Sequence, residues 1–183
     1  MLNWVRLVNE NQGIKDGELK KALEASLARK DYRHVLIIPP DITRIHSGAG
    51  KITNMYYHML EESCEVDILP ALGTHVAMSE SELVKMFGDI PRERFVVHNW
   101  RTDVVKVGEA PEEFMAEISE GLMDCPVEFQ VNKRLLNPAY DCIISIGQVV
   151  PHEVVGMANY TKNLLVGCGG SSIINASHYL GAI

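Results

Sequence analysis

The sequence predicts a layered α/β domain, with a mainly parallel sheet flanked by helices. Short runs of branched apolar residues alternate with stretches of helical periodicity, as in repeated strand–helix units. Several of those runs stop at Pro or Gly and pass directly into polar residues, as strands do where they feed a loop. At 183 residues the chain is long enough for one such domain with its own core.

Lys15 to Lys30 places Leu19, Leu23 and Leu27 on one helical stripe, with Asp16 as a candidate cap. Val35 to Ile38 is a buried strand stopped by Pro39-Pro40. Ile52, Met55, Tyr56, Met59 and Leu60 then follow the spacing of an amphipathic helix. Val66 to Leu72 is the next strand, ending at Gly73-Thr74-His75. A helix starts after Ser79, which forms a capping box with Glu82. Arg94 to His98 and Val104 to Val107 are short strands, and Val127-Phe129-Val131 alternates as a half-buried one. Glu109 to Cys125 is acidic and reads as a lightly packed surface insertion around Phe114 and Leu122. Asp141 to Ile146 is the strongest strand signal, and Leu164 to Val166 reads as a last short strand. With no repeat or linker, residues 1–183 form one Rossmann-like domain.

Charge narrows the function classes. Lys plus Arg number 17 against 24 Asp plus Glu, a net charge of −7, which disfavours sequence-independent binding to nucleic-acid phosphates. Nothing in Met1 to Glu10 reads as a signal peptide. The uncharged stretch Asn163 to Ile183 carries four Gly, three Ser, two Asn and a His, too polar for a membrane span. Cys64, Cys125, Cys142 and Cys168 include no C-x-x-C pair, so a reducing cytoplasm is expected, with Cys142 buried as a small hydrophobe.

In parallel sheets the chemistry gathers where the carboxyl ends of the strands open into loops. Three loops qualify: Pro39 to Gly50, Gly73 to Ser79, and Gly147 to Lys162. In the first, Asp41 and Arg44 offer a carboxylate and a guanidinium fork suited to an anion, and fit equally well a pair that only organises a turn. In the second, His75 sits after a glycine, placed for proton transfer near neutral pH. In the third, His152 is followed ten residues later by Lys162, which fits a phosphate ligand, a covalent attachment point or a solvated lysine. His178 ends a segment opened by Gly167-Cys168-Gly169-Gly170, glycines suited to phosphate approach or to close packing. His34 and His58 read as surface residues.

Taken in order, these segments resemble the N-terminal half of the nickel-pincer-dependent lactate racemase family, whose members racemise or epimerise 2-hydroxy acids. Asp41-Ile42-Thr43-Arg44 resembles its Asp-x-Thr-Arg motif. Gly73-Thr74-His75 followed by Ser79-Glu80-Ser81-Glu82-Leu83 resembles its Gly-x-His and helix start. Val105-Lys106-Val107-Gly108 and Asn132-Lys133 match further segments. His152, Lys162 and His178 keep the family's spacings of ten and then sixteen residues. The resemblance implies a nickel pincer nucleotide, pyridinium-derived, tethered to Lys162, with His178 completing the nickel coordination. It implies His75 and His152 as alternating general base and acid, one for each enantiomer, and Asp41 and Arg44 as substrate-binding residues, Arg44 orienting the carboxylate. Hydride leaves C2 for the cofactor and returns to either face, so the cofactor does the hard step and the protein supplies orientation and bases.

The chain departs from the lactate-specific pattern at Asn159-Tyr160-Thr161, where those members have Gly-Gly-Arg, and at Pro151 before His152. A larger sugar acid is therefore as good a substrate candidate as lactate. The family also has a C-terminal domain that closes the cleft, so the chain reads as an N-terminal catalytic fragment, inactive in isolation. Its expected partners are a small 2-hydroxy acid, the cofactor-synthesis enzymes and further copies of itself, but not nucleic acid or membrane. Two other readings compete: a non-catalytic nucleotide- or phosphate-binding module, and an assembly domain using its Leu164–Ile183 tail as an interface.

Overall fold

Strands β1 (His34–Ile38), β2 (Glu65–Ile68) and β5 (Cys142–Ser145) form a parallel sheet in the order β2-β1-β5. This computed structural model describes residues 5–8, 13–27 and 31–183. In register, Val35 faces Val66 on one side and Cys142 on the other. Because β1 is central it is covered on both faces, which explains its unbroken apolar run. Alternation sends Val35 and Ile37 to one face and Leu36 and Ile38 to the other, all four fully buried.

On the first face, α1 (Asp16–Ser26), α2 (Ala49–Leu60) and α3 (Glu80–Phe87) bring Leu23, Tyr56, Tyr57, Leu60, Leu83 and Phe87 against the sheet. Each such side chain contributes about 1.5–3 kcal/mol by leaving water. The α2–α3 crossing is close. A methyl group on Gly50 would meet the Met86 carbonyl oxygen at 2.0 Å, so only glycine fits there. On the second face Leu36, Ile38 and Leu69 pack with Tyr140, Cys168 and Leu164.

An antiparallel pair, β3 (Val104–Ala110) and β4 (Val127–Asn132), flanks α4 (Glu112–Ile118). The miniature hairpin β6 (Pro151–His152) and β7 (Gly156–Met157) leads into α5 (Thr161–Leu165) and then α6 (Ser171–Ala182).

Several expectations need correction. Leu164 to Val166 is not a strand. Leu164 and Leu165 belong to α5, and the apolar run is short because a single helical turn buries it. The N-cap of α1 is Lys15, with Asp16 inside the first turn, where its charge suits the helix dipole; residues 28–30, the end of the expected helix, lie outside the described residues. Most of Met1 to Glu10 lies outside them too. Strand β2 stops at Ile68, and Arg94 to His98 gives only a 3₁₀ turn and one bridge, Phe95 to Ile68.

The acidic insertion packs more firmly than expected. Phe114 and Leu122 are exposed, but Met115 and Met123 are buried with Val127 against Ile173 and Leu180 of α6. The same contacts bury much of the tail, leaving Tyr179 and Ile183 as its exposed large apolar residues. Strand β5 borders the sheet with Ile143 exposed, so Cys142 is half-buried while Cys168 is the fully buried cysteine. The capping box Ser79–Glu82 is present.

Candidate functional site

All three strand-end loops meet in one cleft of about 610 Å³ at the carboxyl edge of the parallel sheet, where the chain order reverses about β1. Asp41, Arg44, His75, His152, Lys162 and His178 all line it. The volume falls within the range of small-molecule and cofactor sites. A larger groove, about 900 Å³, lies between α1 and α2. Its one histidine, His58, is already paired with Glu61 and Asp89, and the groove gathers none of the six.

Asp41 follows Pro39-Pro40 at the end of β1 and caps the 3₁₀ turn Ile42–Ser47. One carboxylate oxygen accepts from the Thr43 amide at 3.1 Å and the Thr43 hydroxyl at 2.5 Å. The other accepts from His75 Nδ1 at 2.5 Å. Asp41 is 5% exposed, so these donors stand in for water around a buried charge. Gly73 turns the chain towards His75 with a φ of 56°, and its amide donates to the Gly167 carbonyl at 2.8 Å.

The ring partners assign the tautomers of three imidazoles. A carboxylate only accepts here, so the neutral His75 ring donates from Nδ1 and has its lone pair on Nε2. The Ile174 carbonyl likewise accepts from His178 Nδ1 at 2.7 Å, leaving Nε2 of His178 as a lone-pair donor. In His152 the order is reversed. Its Nδ1 accepts from the Val154 and Val155 amides at 3.1 and 3.2 Å, so the neutral ring carries its proton on Nε2. The rings of His152 and His178 stand edge to face, 6.2 Å apart.

Burial pushes the His152 imidazole below its ordinary pKa of 6.5, and the cations of Lys162 and Arg44 push the same way. Burial, then Arg44, pushes the Lys162 amine below 10.5. Among the described residues neither Arg44 nor Lys162 forms an ion pair, and Glu153, which lines the same cleft, is the carboxylate whose field reaches both cations.

The fit to a metallocofactor rests on donor chemistry. Among the described residues no group of three or more His, Cys, Asp or Glu side chains could hold a metal ion. His178 has the arrangement of a metal-ligating imidazole, one nitrogen bonded to a carbonyl and the other free. One nitrogen suits a metal that arrives with its other ligands already attached, as in a pincer. Lys162, half-buried in the same cleft, supplies an amine for a tether.

Sequence reasoning passed over Asn163, which is buried and donates to Ile38 and Ser145. Asn159, noted in the sequence only as a departure from the lactate-specific pattern, donates to the Gly147 carbonyl at 3.0 Å while its Oδ1 is buried without a partner among the described residues. His98 went unremarked as well: it takes a bond from Asn132 at 2.9 Å and donates to the Gly169 carbonyl at 3.0 Å, tying the glycine segment before α6 to β4. The signal for Asn163 was available, an amide opening the apolar run Leu164-Leu165-Val166.

Residues 18–183 match the lactate racemase N-terminal domain. None of the curated proteins compared with the chain matches it. A structural-genomics crystal structure of a Thermotoga maritima protein superposes with a TM-score of 0.84 at 25% sequence identity, over 95% of this chain. The chain spans 43% of the length of that protein. Among the described residues no helix is long and apolar enough to cross a membrane.

Proposed function

The chain belongs to the lactate racemase N-terminal domain family, an isomerase family, and from that premise we propose that its cleft racemises or epimerises a 2-hydroxy acid. The observation that carries this reading is the convergence of Asp41, Arg44, His75, His152, Lys162 and His178 from three strand-end loops and α6 on one cleft. When bound, the family's nickel pincer nucleotide supplies a hydride acceptor and donor. Lys162 would tether it and His178 would ligate its metal.

Every other step falls to the chain's own side chains. Arg44 orients the substrate carboxylate with its guanidinium fork. His75 takes the hydroxyl proton on its free Nε2, and Asp41 steadies the resulting imidazolium. His152 presents an Nε2–H to the same oxygen, so the two histidines begin the cycle in opposite states. For the other enantiomer the roles exchange, which requires His152 to start as the Nδ1–H tautomer and so to give up the bonds from the Val154 and Val155 amides. With Asn159-Tyr160-Thr161 where lactate-specific members have Gly-Gly-Arg, a larger sugar acid is as good a substrate candidate as lactate. Because the chain spans 43% of the Thermotoga protein, we assign it the part of an N-terminal catalytic domain whose cleft a second domain completes.

The test is to express a protein containing this domain with cofactor-synthesis enzymes and follow a panel of 2-hydroxy acids and aldonates by chiral chromatography. Interconversion together with added mass on Lys162 is expected. Neither signal appearing would overturn the assignment.

A further inference from the structure

Asn163 sits beside Lys162 on α5 and is 8% exposed. Its Nδ2 carries two hydrogens, and both are used. One goes to the Ile38 carbonyl at 3.1 Å, the other to the Ser145 hydroxyl at 2.9 Å. Those two residues end β1 and β5, so a single amide spans the carboxyl ends of two adjacent strands.

The helix it anchors needs an anchor. At five residues α5 is too short to hold its own shape. The chain enters it through Asn159 and Tyr160 at φ 64° and 52°, a left-handed region that non-glycine residues seldom occupy. Its far end is pressed against the loop that carries His75: a methyl group on Gly167 would lie 2.6 Å from the Ala71 side chain. One strained turn thus lies against the ends of β1 and β5 and the loop after β2, and Asn163 is the side chain that fastens it to the two strands.

We infer that Asn163 is the positioning residue that aims the Lys162 amine into the cleft. Without both bonds the turn relaxes along its strained entry, and Lys162, its immediate neighbour, follows it towards solvent. The inference deepens the reading of Lys162 as a tether, but the geometry it invokes belongs to the chain alone. Held in place, Lys162 is half-buried next to Arg44, the setting that lowers its proton affinity. Released, it should titrate higher.

The experiment measures acylation of Lys162 by a small N-hydroxysuccinimide ester as a function of pH, read by peptide mass spectrometry, with exposed Lys85 as the reference. In the parent chain the labelling midpoint of Lys162 should lie below that of Lys85. Asn163→Leu, similar in volume without the donors, should move it up towards Lys85. Ser145→Ala should move it in the same direction, and Ser145→Thr, which keeps the hydroxyl, should restore the parent profile. Circular dichroism and thermal melting establish that each variant is folded. If Asn163→Leu does not fold, the Ser145 pair decides. An unchanged midpoint in the folded variants that lack the bonds would overturn the inference. Failure of Lys162 to gain cofactor mass would instead count against the tether and leave the labelling result standing.

Discussion

Asp41 and His75 face each other across two strand-end loops, with Asp41 Oδ2 2.5 Å from His75 Nδ1. The carboxylate is buried and the imidazole half-exposed, so one partner is fixed and the other reaches the cleft. The bond both orients the ring and decides which nitrogen is free to take a proton.

Asp41→Asn keeps the shape of that pair and removes its charge. Turnover of the cofactor-loaded enzyme should fall by about 100-fold or more, the usual scale for loss of a positioned acid or base. Nitrogen chemical shifts of His75 should show the change of tautomer. Parent-like turnover would remove the pair from the proton-transfer machinery.

Lys162→Ala should abolish covalent attachment, seen as loss of the added mass on that peptide. It should leave the melting temperature equal or higher. Burial and Arg44 depress the amine's pKa, so at neutral pH its charge is held at a cost relative to the unfolded chain. A clear drop in melting temperature would mean that the lysine supports the fold instead.

Nickel content should separate the histidines. His178→Ala removes the free Nε2 assigned to the metal and should lose nickel from the loaded protein, measured by elemental analysis. His75→Ala and His152→Ala should retain it while losing turnover. Full nickel occupancy in His178→Ala would refute the ligand assignment.

Away from the cleft, His58 bonds Glu61 and Asp89 and so links α2 to the loop after α3. Its pKa is raised, chiefly by Asp89, and that of Asp89 is lowered to about 2, chiefly by His58. A raised histidine stabilises fully below its ordinary 6.5 and less as pH rises; a lowered aspartate stabilises fully above its ordinary 3.8 and less as pH falls towards 2. The melting-temperature difference between parent and His58→Ala should therefore be greatest at about pH 5 and shrink at alkaline pH. A difference independent of pH would show that the pair contributes packing alone.

The parallel sheet was legible because β1 is buried on both faces, and such strands leave unbroken apolar runs. So were the three loops, since each turns polar immediately after its strand. The Leu164 to Val166 assignment failed for a physical reason: three apolar residues fit a helical turn and a strand equally well, and contacts distant in sequence, among them the bonds of Asn163 to two strand ends, go with the helix. The firmness of the acidic segment was hidden because Met115 and Met123 are buried by α6, some fifty residues later in the chain. The opposed tautomers of His75 and His152 were beyond reach of sequence too, since they depend on a carboxylate from another loop and on two amides of a hairpin.

The strand order carries a consequence for how the cleft comes into being. Val35 finds Val66 only 31 positions along the chain but finds Cys142 107 positions along. By loop-closure entropy the second pairing costs about 1 kcal/mol more than the first. The first two strands should therefore join early in refolding and the third late, a sequence that pulse-labelled amide exchange would read as protection appearing in β2 before β5. Protection arising in the reverse order would contradict it. Until β5 docks, Ser145 is not in place to receive Asn163, so the growing chain carries Arg44 and His75 without the pocket that brings Lys162 to them.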